Sequence, residues 1–179
     1  MPMPDEVKQP LRDALALLNA GKNSASLAIL SDLRHAHRKV GCVWLASAVA
    51  HDRLGREATA IPLYLKALNL ELDDHERHNA LICLGSSFRN VGRLADARRT
   101  LLKAIREDPY NPVPHLFLAL VEHDSGDPTS ALRRVALAYL AESQSDRIAT
   151  YRAPLLRKFK SLRRIKPAAI VRKRNQSKP

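Results

Sequence analysis

HNALICLGSSFRNVGRLADARRTLLKAIREDPYNP, from His78 to Pro112, is the stretch that decides the fold, because it reads as two helices joined by a turn. Gly92 supplies a residue that tolerates a left-handed turn conformation. Ala97 follows five residues later, where the second helix must pass close to the first. Pro109 and Pro112 then stop one helix and restart the chain. The stretch therefore predicts one antiparallel helix pair.

The same spacing recurs along the chain. Four glycines are separated by 34, 37 and 34 residues, and they are Gly21, Gly55, Gly92 and Gly126. Five residues after each comes a small residue, namely Ser26, Ala60, Ala97 and Ala131. One helical turn further come Leu30, Tyr64, Leu101 and Val135. A period near 34 residues predicts four helix pairs stacked on one another.

These residues carry a family resemblance. Residues from about 7 to 142 resemble four tetratricopeptide repeats. The runs DRLGREATAIPLYLKAL and LGSSFRNVGRLADARRTLLKAI are similar to the small bacterial proteins grouped as tetratricopeptide repeat group 5. The resemblance implies an all-α, right-handed superhelical α-solenoid of about four helix pairs. It also implies a concave groove, lined by the first helix of each pair and used mainly for protein binding.

The sequence divides into three predicted segments. A four-repeat domain occupies 1–146, with repeats near 7–40, 41–77, 78–111 and 112–145; a basic amphipathic capping helix follows at 147–166, and a flexible basic tail at 167–179. The paired helices are predicted at 6–19, 24–37, 41–54, 57–70, 76–91, 94–107, 113–125 and 128–142. Pro154 marks either the start of the capping helix or a kink. The three extra residues near 71–77 lengthen a helix end or a loop.

The resemblance places one face of each first helix in the groove. The partner-binding residues it predicts are Leu45, Val49, Asp52, Arg53, Asn79, Ile82, Ser86, Arg89, Asn90, Leu116, Leu120 and His123. Such a mixed face suits an extended peptide or an amphipathic helix. Two alternatives stay open: Leu45, Ile82 and Leu116 pack only on adjacent helices, or the C-terminal helix fills the groove. Where family members grip a carboxylate with lysine and asparagine, this chain has residues such as Leu45, Val49, Cys83, Val113 and Phe117, so no such clamp is expected.

The positive charge belongs to the C-terminal segment. The net charge is +12, and residues 147–179 hold 12 basic side chains and no acidic one, whereas residues 1–146 hold 18 of each sign. This segment gives an alternative function, binding of nucleic acid or an anionic surface. The tail residues predicted for such contact are Arg163, Arg164, Lys166, Arg172, Lys173 and Arg174. A solvated tail that keeps the protein soluble is the competing interpretation.

Other classes of function are not supported by the sequence. The histidines are predicted to lie on the surface, and no set of ligands completes a metal site. Cys42 and Cys83 are predicted as buried or half-buried thiols. No phosphate loop, nucleophile elbow or carboxylate pair indicates catalysis, so we expect no enzyme activity and no cofactor. No membrane-length apolar run and no signal peptide is present, which predicts a cytoplasmic protein. Self-association through solenoid ends or grooves stays open.

Overall fold

The computed structural model describes residues 4–162, and within them the chain forms nine α-helices and no strand. The helices are α1 (Asp5–Asn19), α2 (Asn23–Ala36), α3 (Gly41–Arg53), α4 (Glu57–Leu68), α5 (Asp74–Asn90), α6 (Leu94–Glu107), α7 (Pro112–Asp124), α8 (Pro128–Glu142) and α9 (Asp146–Lys160). The first eight agree with the predicted helices to within two residues at each end. The all-α fold of stacked helix pairs is therefore confirmed.

A glycine turn closes each helix pair in the same way. Gly92 has a φ of +77°, which is strained for a residue that carries a Cβ. The Arg93 amide donates to the Phe88 carbonyl over 2.8 Å, and the Gly92 amide donates to the Arg89 carbonyl over 2.9 Å. These two bonds are those of a Schellman helix end. Equivalent pairs of bonds form around Gly21, Gly55 and Gly126.

The stack curves with its first helices on the inside. Helices α1, α3, α5 and α7 contact one another in order. The second helices are farther apart: no Cα atom of α4 lies within 8 Å of one in α2 or α6, and the same holds for α6 and α8. Because the first helices are the more closely spaced layer, they form the concave side of the described part of the chain.

The core runs between the two layers. Helices α5 and α6 meet at Gly85, where an added Cβ would lie 2.6 Å from Leu101 Cγ. Leu101 is fully buried, so it has no free space into which to move. The surrounding core cluster joins the second, third and fourth repeats through Tyr64, Leu84, Phe88, Leu118 and Val121. The two helices therefore approach so closely at Gly85 that a larger side chain does not fit there.

The extra three residues before the third repeat lengthen α5. This helix begins at Asp74 and not at residue 76, and it has 17 residues. The reason is a capping box: Asp73 Oδ1 accepts the Glu76 amide at 2.7 Å, and Glu76 Oε2 accepts the Asp73 amide at 3.3 Å. The preceding loop passes so close to the start of α3 that a Cβ on Gly41 would overlap the Glu71 carbonyl oxygen.

Helix α9 lies at the end of the stack. It contacts α8 and no other helix of the described residues. The Arg152 guanidinium donates to the carbonyls of Leu140 and Ser143, which gives partners to the last carbonyls of α8. Pro154 lies within α9 and does not start it, and the helix ends at Lys160, before the predicted residue 166. None of the helices between residues 4 and 162 has both the length and the apolar character that a membrane crossing requires.

The close contact at Gly85 predicts that Gly85→Ala destabilises the wild type but stabilises a Leu101→Ala variant. Overpacking by Gly85→Ala costs about 1–3 kcal/mol, against a gain of about 1 kcal/mol in helix propensity, so the variant is expected to be less stable than the wild type. In a Leu101→Ala background the same change fills part of a cavity and is expected to stabilise the protein. Urea unfolding of the four proteins measures this coupling. An equal cost of Gly85→Ala in both backgrounds contradicts the packing argument.

Candidate functional site

The first helices carry a row of aliphatic residues on the concave side. Positions ten and six before each turn glycine lie one helical turn apart on one face. Position ten holds Leu11, Leu45, Ile82 and Leu116, and position six holds Leu15, Val49, Ser86 and Leu120. We call these eight residues the groove stripe. All but Ser86 are aliphatic, although they lie at non-adjacent positions in four repeats.

Exposure differs along the groove stripe. Ile82 is only 6% exposed and packs in the core with Leu81 and Ala104, as the packing alternative expects. Leu45 and Val49 are partly buried against the core. The exposed members are Leu15 at 37%, Leu116 at 42% and Leu120 at 44%. Apolar surface thus remains open on α1 and α7, at the two ends of the first-helix layer.

Leu15 is a member of the groove stripe that the motif analysis missed. It lies on α1, which contacts α3 on the concave side. The first repeat departs most from the family pattern, with Pro10 and Asp13 where the signature has tryptophan and leucine, and the resemblance therefore predicts no groove residue in it. The signal was present all the same, since Leu15 lies six residues before Gly21.

Most of the polar residues predicted for the groove bind a residue of a neighbouring repeat. Arg89 Nε donates to Asp124 Oδ2 over 2.6 Å, and this ion pair joins α5 to α7. His123 is an exception, since its Nδ1 contacts the next residue in the chain, 3.2 Å from Asp124 Oδ1. Two further bonds between neighbouring repeats run from Arg53 Nη1 to Asn19 Oδ1 at 2.7 Å and from Asn90 Nδ2 to Glu57 Oε1 at 3.1 Å. Two more of the predicted polar residues lie on α5: the Asn79 amide contacts the His75 ring of the same helix, and Ser86 is half-buried.

Asp52 lies half-buried on α3 between hydroxyl groups. Ser87 Oγ donates to its Oδ1 over 2.9 Å, and Tyr64 OH donates to its Oδ2 over 3.1 Å. Burial raises the pKa of Asp52 above 3.8; the two hydrogen bonds oppose that shift, and the charge of Glu57 adds to it. The pKa of Asp124 shifts the other way, below 3.8, chiefly because Arg89 donates to it. Asp52 and Asp124 lie on the same side of the stack, but their pKa values shift in opposite directions.

A cavity of about 780 Å³ opens beside the N-terminal ends of α3 and α5. Its apolar lining includes Val40, Cys42 and Leu72, and Glu76 lies on its wall. The volume is within the range of small-molecule sites, about 300–1,000 Å³. Part of one wall is the lengthened connection between α4 and α5, so the departure from a strict 34-residue repeat helps to shape this cavity.

The two thiols and the histidines form no metal centre in the described part of the chain. Cys42 and Cys83 are both free and partly buried. Burial is the main cause that raises the pKa of each thiol. No group of three or more His, Cys, Asp or Glu side chains among residues 4–162 is placed to hold a metal ion.

The basic segment is only partly described. In α9, Arg147, Arg157, Lys158 and Lys160 are exposed. The six tail residues predicted for anionic contacts, Arg163, Arg164, Lys166, Arg172, Lys173 and Arg174, lie outside the described residues.

Comparison with known families decides the assignment. A family model described as Tetratrico peptide repeat matches residues 41–155. The chain belongs to this family. The match spans the last three repeats and most of α9, and it leaves out the degenerate first repeat. No curated protein matches the sequence.

Solved structures of tetratricopeptide repeat proteins share the fold. MamA of strain MSR-1 superposes with a TM-score of 0.66 at 18% identity, over 74% of this chain and 75% of that one. Cut9 of the Cut9–Hcn1 hetero-tetramer of APC/C gives 0.68 at 14% identity, over 84% of this chain and 29% of that chain. A Podospora anserina protein of nearly identical TPR-like repeats gives 0.59 at 14%, over 89% and 97%. At such identities the likeness establishes the solenoid alone.

The two groove carboxylates are expected to titrate on opposite sides of 3.8. Because burial favours protonated Asp52 in the folded state, its folded pKa lies above its unfolded pKa. The contribution of Asp52 to the free energy of unfolding is therefore lost as pH rises from its unfolded pKa through its folded pKa. Ser87→Ala removes a bond that lowers this pKa, so it should raise the midpoint further. Carboxyl ¹³C NMR titration measures both midpoints, with Asp124 as the control. An Asp52 midpoint at or below 3.8 contradicts the burial argument.

Proposed function

We propose that this chain is a non-enzymatic protein-interaction scaffold that binds a peptide or helix of a partner along its concave face. The observation that carries the proposal is the groove stripe, a mostly aliphatic row over four repeats in which Leu15 at one end and Leu116 and Leu120 at the other are exposed. Single exposed leucines are ordinary. A row that recurs at equivalent positions of successive helices is the kind of surface that accepts an amphipathic segment.

The polar residues beside the groove stripe support binding and give no support to catalysis. Arg89 and Asp124 neutralise each other, which leaves a preformed and partly apolar surface. Catalytic cysteines have a lowered thiol pKa, whereas burial raises the pKa of Cys42 and Cys83 and keeps both thiols protonated at neutral pH. We therefore assign these groups to packing and recognition.

A second candidate rests on α9. Residues 147–162 contain five basic side chains and no acidic one. This charge would attract a nucleic acid or an anionic surface through electrostatic contact, with binding that weakens as salt rises. The triple change Arg157→Gln, Lys158→Gln and Lys160→Gln removes three exposed charges of α9 and is expected to weaken binding to a single-stranded RNA oligonucleotide and to anionic vesicles. Binding that this change leaves unaltered, or that ignores salt, removes this candidate.

The groove proposal predicts that two leucines on α7 control partner binding. Burying the exposed parts of Leu116 and Leu120 contributes about 2 kcal/mol to the free energy of binding. The double variant Leu116→Asp with Leu120→Asp should therefore raise Kd by at least about 30-fold. Each side chain is also partly packed, so the free energy of unfolding should fall by about 1 kcal/mol per site, and urea unfolding checks that the variant stays folded. Affinity purification followed by biolayer interferometry with the recovered partner measures the loss.

Leu65→Asp is the matched control for this experiment. Leu65 is 43% exposed, like the two target leucines, but it lies on the second helix α4. Partners that the wild type and Leu65→Asp retain, and that the α7 double variant loses, place the contact on the concave face. Equal retention by all three proteins rejects the groove as the binding surface.

A further inference from the structure

Asp52 differs from Asp124 and Glu122 of α7 in the groups that neutralise its charge. Asp124 is paired with Arg89 at 2.6 Å. Glu122, in the same helix, is paired with Arg134 at 2.6 Å. The two hydrogen bonds that Asp52 receives come from the uncharged hydroxyls of Ser87 and Tyr64. Asp52 thus carries a half-buried negative charge that these described contacts orient without neutralising it.

These two contacts leave the Asp52 carboxylate able to accept further hydrogen bonds. An ionised carboxylate has about four acceptor positions, and the two hydroxyls occupy one on each oxygen of Asp52. A charge held in a partly desolvated place gains more from an added opposite charge than one in open water does. The fixed hydroxyls also spare the cost of ordering the Asp52 side chain when a ligand arrives.

The neighbouring side chains define what can approach. Asp52 lies three residues after Val49 and seven after Leu45, so the carboxylate continues the face of α3 that carries the groove stripe. A lysine or arginine has an apolar stem and a charged end, and it can lay the stem over such aliphatic residues while its end reaches an acid. The next basic residues along this side, Arg53 and Arg89, already donate to Asn19 and Asp124.

We propose that Asp52 is the subsite for one lysine or arginine side chain of the segment bound in the groove. The inference rests on the proposed function and makes it more specific: the bound segment is amphipathic, with a cation about one turn from its aliphatic contacts. This polarity is the reverse of the carboxylate grip found in some members of the family, whose lysine and asparagine positions hold other side chains here. A divalent metal ion is a poor alternative, because it would need about six oxygen ligands and Asp52 supplies at most two.

The probes are synthetic, helix-stapled peptides of about 16 residues with a leucine face and otherwise neutral residues. One position, a turn away from two leucines, carries lysine, Nε-acetyl-lysine or glutamate. Fluorescence anisotropy measures Kd for the wild type, Asp52→Asn and Asp32→Asn. Asp32 lies exposed on the second helix α2, so its change removes the same charge away from the groove.

We expect the wild type to bind the lysine peptide about tenfold more tightly than the acetyl-lysine peptide. Asp52→Asn should bring this ratio to about one, and Asp32→Asn should preserve it. Asparagine can still accept from Ser87 and donate to Tyr64, and urea unfolding checks that the variant is folded. The comparison between lysine and acetyl-lysine also tests the subsite on the unaltered protein.

Two outcomes overturn the proposal. A lysine preference that Asp52→Asn leaves unchanged assigns the cation to another acid. No preference among the three peptides, with binding that Leu116→Asp and Leu120→Asp still weaken, removes the Asp52 subsite while the groove function stands. Absence of binding by every peptide, or binding that the α7 double variant does not weaken, counts against the groove function and the subsite together.

Discussion

Every repeat depends on one backbone constraint, the left-handed turn that lets a second helix fold back onto the first. The turn glycine ends one helix through two defined hydrogen bonds, and it thereby fixes which side chains of the next helix face inward. Close approach then requires small residues at the crossing, such as Gly85 against Leu101. Once this register is set, positions counted back from the glycine acquire the same environment in each repeat. The concave face is a consequence of that register.

This register separates the residues that make the fold from those that are free to vary. The small residue five positions after the glycine is kept as serine or alanine in all four repeats. Three positions before the glycine, the second to fourth repeats carry Asp52, Arg89 and His123, which share no chemistry, whereas Leu18 of the first repeat is buried in the core. Packing therefore constrains the inner positions, while the open side of the first helices can accumulate residues for recognition. A scaffold of this kind can change its partner without changing its fold.

The same distinction explains how far the sequence alone could lead. Helix bounds follow from periodicity and turn chemistry, which are local, and those of the first eight helices were predicted to within two residues. The early start of α5 was not predicted, because it depends on the reciprocal capping contacts of Asp73 and Glu76. Which polar side chains pair, as Arg89 does with Asp124, depends on distances of a few ångströms between repeats. A period fixes the order of residues along the stack and leaves those distances undetermined.

The fourth repeat shows how a departure from the repeat signature is accommodated. Glu122 occupies the register of buried Phe88, and it is only 6% exposed. Arg134 donates to both of its oxygens, over 3.0 and 2.6 Å, because a buried acid needs a fixed partner of opposite charge. This bidentate contact orients α8 on α7, where the stack has a neighbouring repeat on one side only. Since α9 contacts α8 and not α7 among the described residues, this part of the chain leaves the concave side of α7 uncovered, and Leu116 is 42% exposed.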